Sequence, residues 1–414
     1  MKILYYNPHP NLSLFSPSGP GTHMREVIEA LERKGHTVIK FIAGDDEGLN
    51  RPNTNIERTG FKALFKWLTP DWIWQSLKDW DLKRCDKRYA RKLERLIESE
   101  RPDVIYERAY YLMASGVITA KKFGIPLIME MNAPYTEEKI YLEGKSFFIQ
   151  QSHAIEKLQV QSADKIYVVS SALLGYFQKR YPDVVEKIVV IPNAINPFKS
   201  YSNSALLAAI RSQYRIRSSE FVIGFVGSIF KYHGVDRLLE AYAKLTSDLP
   251  ETQFRLMIVG DGMVLPELKK QASELGISAK VIFFGNVPHK DVYSYIEMMD
   301  IAVMAGSNWY GSPVKVFEYG AMSKAIVAPD NVPLRDVMNQ GSEGILVGEG
   351  ASDVYDALRK LVSDNELRKN LAEAFHRKVV ATYTWDKVAS DIISNAEMLI
   401  QKKTIHTSKK EGYN

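Results

Sequence analysis

Phe221-Val222-Ile223-Gly224-Phe225-Val226-Gly227-Ser228-Ile229-Phe230-Lys231-Tyr232-His233-Gly234-Val235 is the stretch on which the fold turns. Its first six residues are apolar or glycine throughout, as expected of a parallel strand covered on both faces. Val235, Leu238, Leu239, Tyr242 and Leu245 then recur at helical spacing, giving one apolar face. Between the two lies a turn with glycine at each end. The segment therefore reads as strand, turn and amphipathic helix, the repeating unit of a doubly wound α/β sheet.

The same unit recurs in both directions. Downstream, strands are predicted at 255–259, 281–284, 301–304, 325–327 and 344–347. Upstream, a first series is predicted at 2–6, 38–42, 104–106, 126–129, 165–169 and 187–191. Met24, Val27, Ile28 and Leu31 mark the first helix, which Gly35 ends. The run Pro192-Asn193-Ala194-Ile195-Asn196-Pro197 breaks regular structure and separates the two series. Two domains are expected, 1–196 and 205–384, with a hinge near 193–204, and 414 residues suits that count.

Composition narrows the function classes. The chain is 45% hydrophobic and 25% charged, which excludes a disordered or collagen-like protein. Its one cysteine excludes a disulfide scaffold and points to a reducing compartment. A net charge of +5 is too small to argue for nucleic acid, and no nucleic-acid partner is expected. No run approaches the ~18 apolar residues of a membrane span. The N-terminus also lacks a leader's apolar core of ~7–15 residues. A cytoplasmic protein is expected, with any membrane contact peripheral.

G-x-G-x-x-G, P-loop, G-x-S-x-G and H-E-x-x-H motifs are all missing, and the eight histidines have no metal-ligand spacing. Three glycine-containing turns follow strands: Ser18-Gly19-Pro20-Gly21-Thr22-His23, 227–234, and Gly260-Asp261-Gly262. Glycine at a strand-to-helix turn lets an anion approach backbone N–H groups. A fourth segment is more distinctive: Gly311-Ser312-Pro313-Val314-Lys315-Val316-Phe317-Glu318-Tyr319-Gly320-Ala321-Met322. It opens a short helix with Val314, Phe317 and Ala321 on one face and Glu318 roughly 100° from Phe317. A carboxylate there suits a vicinal diol, since it accepts two hydrogen bonds, and Lys315 suits phosphate.

These segments, with Val190-Ile191-Pro192-Asn193-Ala194, Phe284-Gly285-Asn286-Val287-Pro288, and Tyr383-Thr384-Trp385 before a last helix, resemble the retaining GT-B glycosyltransferases of family 4 along nearly the whole chain. The resemblance implies two Rossmann-like domains facing across a cleft, with a last helix at 385–401 crossing back to the first. It also implies a metal-free enzyme that uses a UDP- or GDP-linked sugar as donor substrate, with no cofactor, and a glycan or lipid-linked acceptor bound by the first domain. Cell-surface polysaccharide or glycoconjugate synthesis is the associated pathway. Glu318 would then bind the donor ribose, and Gly227 with Gly311, Ser312, Pro313 and Val314 the diphosphate. Val287, Pro288 and His289 would meet the base, and Gly19 and Gly21 would lie over the diphosphate.

Three features of the family's pattern are altered here, at four positions. Tyr310 stands where the E-x7-E motif has its first glutamate. Ser228 and His233 stand where the diphosphate-clamping cations are usual, leaving Lys231 and Lys315 as substitutes. Asn132, in Glu130-Met131-Asn132-Ala133-Pro134, replaces a histidine and is expected to hydrogen-bond a sugar hydroxyl. Other readings are a non-catalytic nucleotide-sugar-binding scaffold and a GT-B epimerase. Residues 58–101 interleave Lys and Arg with Trp67, Trp72, Trp74, Trp80, Phe61 and Phe65. They form either a helical insertion packed on its own domain or an anionic-membrane contact. The tail after Gln401 is expected to be solvated and disordered.

Overall fold

All twelve predicted strands are present in the computed structural model, which describes residues 1–16, 18–46 and 70–411. The chain divides into two units, Met1–Ile191 with Val388–Asn414, and Pro192–Lys387. Each holds one six-stranded sheet, and the strands within each sheet pair in parallel.

The first sheet comprises β1 (Lys2–Asn7), β2 (Thr37–Ile42), β3 (Val104–Arg108), β4 (Leu127–Met131), β5 (Lys165–Val168) and β6 (Ile188–Val190), in the order β2-β1-β3-β4-β5-β6. Its helices are α1 (Gly19–Arg33), α2 (Asp71–Glu100), α3 (Ser115–Phe123), α4 (Tyr135–Glu143), α5 (Ile149–Ser162) and α6 (Ser171–Arg180). Helix α1 starts earlier than its apolar periodicity indicates. Ser18 caps it by accepting from Gly21 N at 3.3 Å, and proline occupies the first turn, where a missing N–H costs nothing. Gly19 and Gly21 therefore belong to a helix rather than to the glycine-rich loop expected there.

The second sheet comprises β7 (Phe221–Val226), β8 (Phe254–Val259), β9 (Val281–Gly285), β10 (Ile301–Val303), β11 (Ala325–Pro329) and β12 (Ile345–Val347), in the order β12-β11-β10-β7-β8-β9. Its helices are α7 (Ser204–Gln213), α8 (Val235–Asp248), α9 (Leu265–Glu274), α10 (Val292–Glu297), α11 (Val314–Ala321), α12 (Val332–Arg335), α13 (Ala351–Ser363) and α14 (Asn365–Thr382). Alternate residues of β7 feed two separate cores: Ile223 and Phe225 pack with Leu238 and Leu358, whereas Val222 and Val226 pack with Phe317 and Phe375. Burial on both faces explains why these strands are apolar throughout rather than alternating.

The last helix, α15 (Trp385–Glu411), passes from the second unit to the first at Val388. Tyr167 donates to Asp391 O at 3.3 Å, and Lys403 pairs with Asp164 at 3.6 Å. The expected disorder after Gln401 is thus corrected: the helix runs ten residues further, through a stretch free of glycine and proline. Within 58–101, residues 58–69 lie outside the described residues. The remainder is α2, which buries Leu82, Cys85, Tyr89, Leu93 and Ile97 on its own unit while exposing Trp72 and Trp80.

One buried group of the first sheet is not explained by packing alone. Glu107 on β3 is fully buried with neither carboxylate oxygen hydrogen-bonded, and Gly116 packs directly against it. Burial, then the nearby Asp86 carboxylate, raises its carboxyl to about 8. The folded state therefore holds a proton that the unfolded chain loses near pH 4.5, and stability falls as pH rises through that window. In thermal unfolding, the Tm of Glu107→Gln relative to wild type should improve by several degrees between pH 5 and 8.5. A pH-independent difference would contradict the assignment.

Candidate nucleotide-binding site

In a doubly wound sheet, ligands bind beyond the carboxyl ends of the strands where the strand order reverses. In the second sheet that point lies between β7 and β10. The turns leaving these two strands, 227–234 and 304–313, carry most of the candidate residues, and α11 follows the second.

Tyr319 fixes α11 against β7: its hydroxyl accepts from Val226 N at 2.8 Å and lies 3.4 Å from Val226 O. One turn earlier, this places the Lys315 side chain under Gly227, where an added Cβ would sit 2.8 Å from Nζ. The Lys315 ammonium lies 4.2 Å from the centroid of the Phe225 ring and 3.4 Å from His233 Nε2. His233 Nδ1 is 2.6 Å from the Ser228 carbonyl. That contact requires a proton on Nδ1, so Nε2 is the acceptor facing Lys315. Burial, then the Lys315 charge, push the His233 imidazole down to about 3. Burial also lowers Lys315 to about 7, with Glu318 acting in the opposite direction.

Glu318 is buried on the same helix and accepts from His289 Nε2 at 3.0 Å. That contact joins the carboxylate to the Val287-Pro288-His289 loop after β9, with Val287 half-buried and Pro288 exposed. Pro313 precedes the first turn of α11 without a side-chain cap, so backbone N–H groups remain there for an acceptor. Gly311 N donates to Asn308 Oδ1 at 2.6 Å, and an added Cβ would strike that oxygen. Gly227, Gly311, Pro313, Val314, Lys315, Glu318 and His233 therefore gather around one strand-order reversal.

Other candidates fall elsewhere. Ser312 accepts from Asn193 N at 3.0 Å, and its carbonyl accepts from the Asn193 amide, so it ties the 192–196 turn in place. Tyr310 is buried, with the exposed Trp309 edge-on at 5.2 Å. Ser228 is exposed and contributes its carbonyl to His233. Lys231 does not join Lys315. The short 3₁₀ turn Lys231–His233 buries His233 and leaves Lys231 exposed, lining a separate groove of ≈ 220 Å³ with Phe230, Asp236 and Glu267. Gly260-Asp261-Gly262 is a packing motif, because added Cβ atoms at its two glycines would lie 2.0 Å from Gly227 O and Ile229 O.

The first unit holds a polar cluster that sequence reasoning missed apart from Asn132. It lies at the ends of β3 and β4, beside β1. Glu130 is buried and accepts from His23 Nε2 at 2.9 Å and Tyr106 OH at 2.6 Å, and also from Arg108 and the Asn132 amide nitrogen. Burial opposes its charge, but His23 and Arg108 hold the carboxyl well below the usual carboxylate range. Since an ionised carboxylate only accepts, Asn132 must direct its nitrogen inward and keep its amide oxygen for another partner. Half-buried His9, Tyr110 and Tyr135 stand near this cluster, with His9 and Tyr110 rings 4.0 Å apart. Burial, then the Arg108 charge, bring His9 down to about 4.

Among the described residues, no three His, Cys, Asp or Glu side chains are grouped to hold a metal ion. No described helix is long and apolar enough to cross a membrane. The backbone contact between Gly260 and Gly227 gives a direct test. Gly260 also has φ +132°, so Gly260→Ala should cost about 2–4 kcal/mol in chemical denaturation. An unchanged midpoint would show that the two turns separate freely.

Comparison with known proteins agrees with this architecture. The model described as "Glycosyl transferases group 1" matches residues 208–378, and "Glycosyltransferase Family 4" matches residues 17–198. D-inositol 3-phosphate glycosyltransferase of Corynebacterium urealyticum is 30% identical over 58% of this chain, which spans only 57% of that relative. Alpha-monoglucosyldiacylglycerol synthase of Acholeplasma laidlawii is 27% identical over 76% of this chain and 78% of its own. The structure of Anabaena HepE in complex with UDP and glucose superposes with a TM-score of 0.72 at 16% identity, covering 96% of this chain and 100% of HepE. With the two family models together spanning most of its length, and each Rossmann-like unit holding a parallel sheet, the chain belongs to the family 4 glycosyltransferases of the GT-B fold.

Proposed function

We propose that the protein is a retaining, metal-independent glycosyltransferase that takes a sugar from a nucleoside-diphosphate donor, with UDP or GDP as the carrier. The observation that carries this reading is the buried Lys315 ammonium beneath Gly227, beside the Glu318 carboxylate and the open first turn of α11. A cation, a close-approach glycine and backbone N–H groups suit a diphosphate, and the carboxylate suits a ribose diol. The likeness to HepE, whose structure contains UDP and glucose, favours a nucleotide sugar.

In the reaction, the acceptor oxygen bonds to the anomeric carbon as its bond to the phosphate oxygen breaks. The acceptor proton leaves on the departing diphosphate, on the same face of the sugar. Lys315 and the N–H groups of α11 oppose the charge that develops there, so catalysis rests on position and electrostatics. The first unit takes the acceptor, a glycan or lipid-linked sugar, with the amide oxygen of Asn132 receiving a hydroxyl. Relatives named for D-inositol 3-phosphate and for a glycosyl diacylglycerol are consistent with a polyhydroxylated or lipid-linked acceptor.

Calorimetry tests the donor site. Glu318→Ala should weaken UDP-glucose or GDP-mannose binding at least tenfold while keeping the wild-type Tm, and unchanged affinity would refute the assignment. EDTA should leave turnover intact. Peripheral membrane contact is the further part of the proposal. It rests on exposed Trp72 and Trp80, with Phe147 packed on Trp72 at 4.6 Å and Lys78 and Lys83 on the same helix. Vesicles rich in anionic lipid should pellet the wild type but not Trp72→Ala/Trp80→Ala, and equal pelleting would remove this contact.

A further inference from the structure

Lys315 is a buried amine without an anion of its own. Among the described residues, its hydrogen-bond partner is His233 Nε2, a neutral acceptor, and its other neighbours are the Phe225 ring and Gly227. The charged group facing it is Glu318 on its own helix, which His289 from the loop after β9 already engages. Tyr319, also on α11, is committed to the end of β7. Among the described residues, no aspartate or glutamate lies within ion-pair distance of its amine. Gly227, Phe225 and His233 thus surround one amine whose charge is disfavoured until an anion arrives.

We propose that the nucleotide sugar enters this site together with a proton, which Lys315 takes up from solvent, and that His233 is the positioning residue that holds the amine beneath Gly227. This deepens the donor-site reading above and rests on it. The balance is simple: a neutral amine, one proton and the donor's diphosphate dianion become an ammonium paired with that dianion, and no bond in the donor changes. An amine near 7 in the free protein is mostly neutral at pH 8, so donor binding must then restore its charge. His233 stays neutral throughout, because its Nδ1 is committed to Ser228 and its titration lies far lower. A histidine in place of a second cation leaves the site dependent on this one proton.

The test is calorimetry of the full chain with UDP-glucose and GDP-mannose, whose esterified diphosphates do not titrate between pH 6 and 8. Titrations in buffers of different ionisation enthalpy count the protons directly in the wild type. Uptake should rise from near zero at pH 6 toward one proton at pH 8, and Kd should weaken by up to about tenfold per unit above pH 7. Lys315→Arg, permanently charged, should bind with a flat pH profile and no uptake. His233→Leu removes the acceptor and should move the profile to lower pH, which a purely structural role would not do. Tight binding at pH 8 with no proton taken up overturns the proposal. Failure of both donors to bind at pH 6 instead overturns the donor-site reading, and this proposal with it.

Discussion

A buried lysine amine without a carboxylate of its own is the constraint around which the second unit is arranged. Desolvating a lysine is costly unless something compensates, and here a neutral imidazole and an aromatic face do so in part. Several other features follow from it. Gly227 must lack a side chain because the lysine occupies that space, and Gly260 must lack one because Gly227 does the same to it. Tyr319 must tie α11 to β7 or the lysine would not lie beneath the turn. On the proposed function, that residual cost is what a bound diphosphate would relieve.

The first unit presents the opposite situation. Glu130 is a buried anion with four donors around it, so its charge is fully compensated and its own bonding capacity is spent. Such a group does not react; it orients what surrounds it. Asn132 takes its direction from Glu130, and Arg108 and His23 are drawn into the same network. Within one chain, a compensated anion and a buried amine whose charge is uncompensated thus sit near the carboxyl ends of two similar sheets.

Much of this architecture is legible in the chain itself, and the limits have physical causes. Strands such as Phe221–Val226 announce themselves because burial on both faces leaves no polar residue to blur them. The Gly311–Met322 segment was readable because its lysine, carboxylate and opening turn are local. The Glu130 cluster was not, because His23, Tyr106, Arg108 and Glu130 come from a helix and two strands and meet only in the fold. The separation of Lys231 from Lys315 was hidden for the converse reason. It is two residues from His233, but the tight turn sends the two side chains in different directions. The start of α1 was hidden by glycine and proline, which read as loop until Ser18 is seen capping the helix.

On the proposed function, a nucleotide sugar is held by the turn after β7 and the start of α11. Hydrogen–deuterium exchange of the full chain, with and without saturating UDP-glucose or GDP-mannose, tests that binding most directly. Backbone amides at 227–234 and 311–318 should gain protection with the donor that binds, while Glu318→Ala should need at least tenfold more donor for the same protection. Binding that protects other segments and leaves both of these unchanged would contradict it.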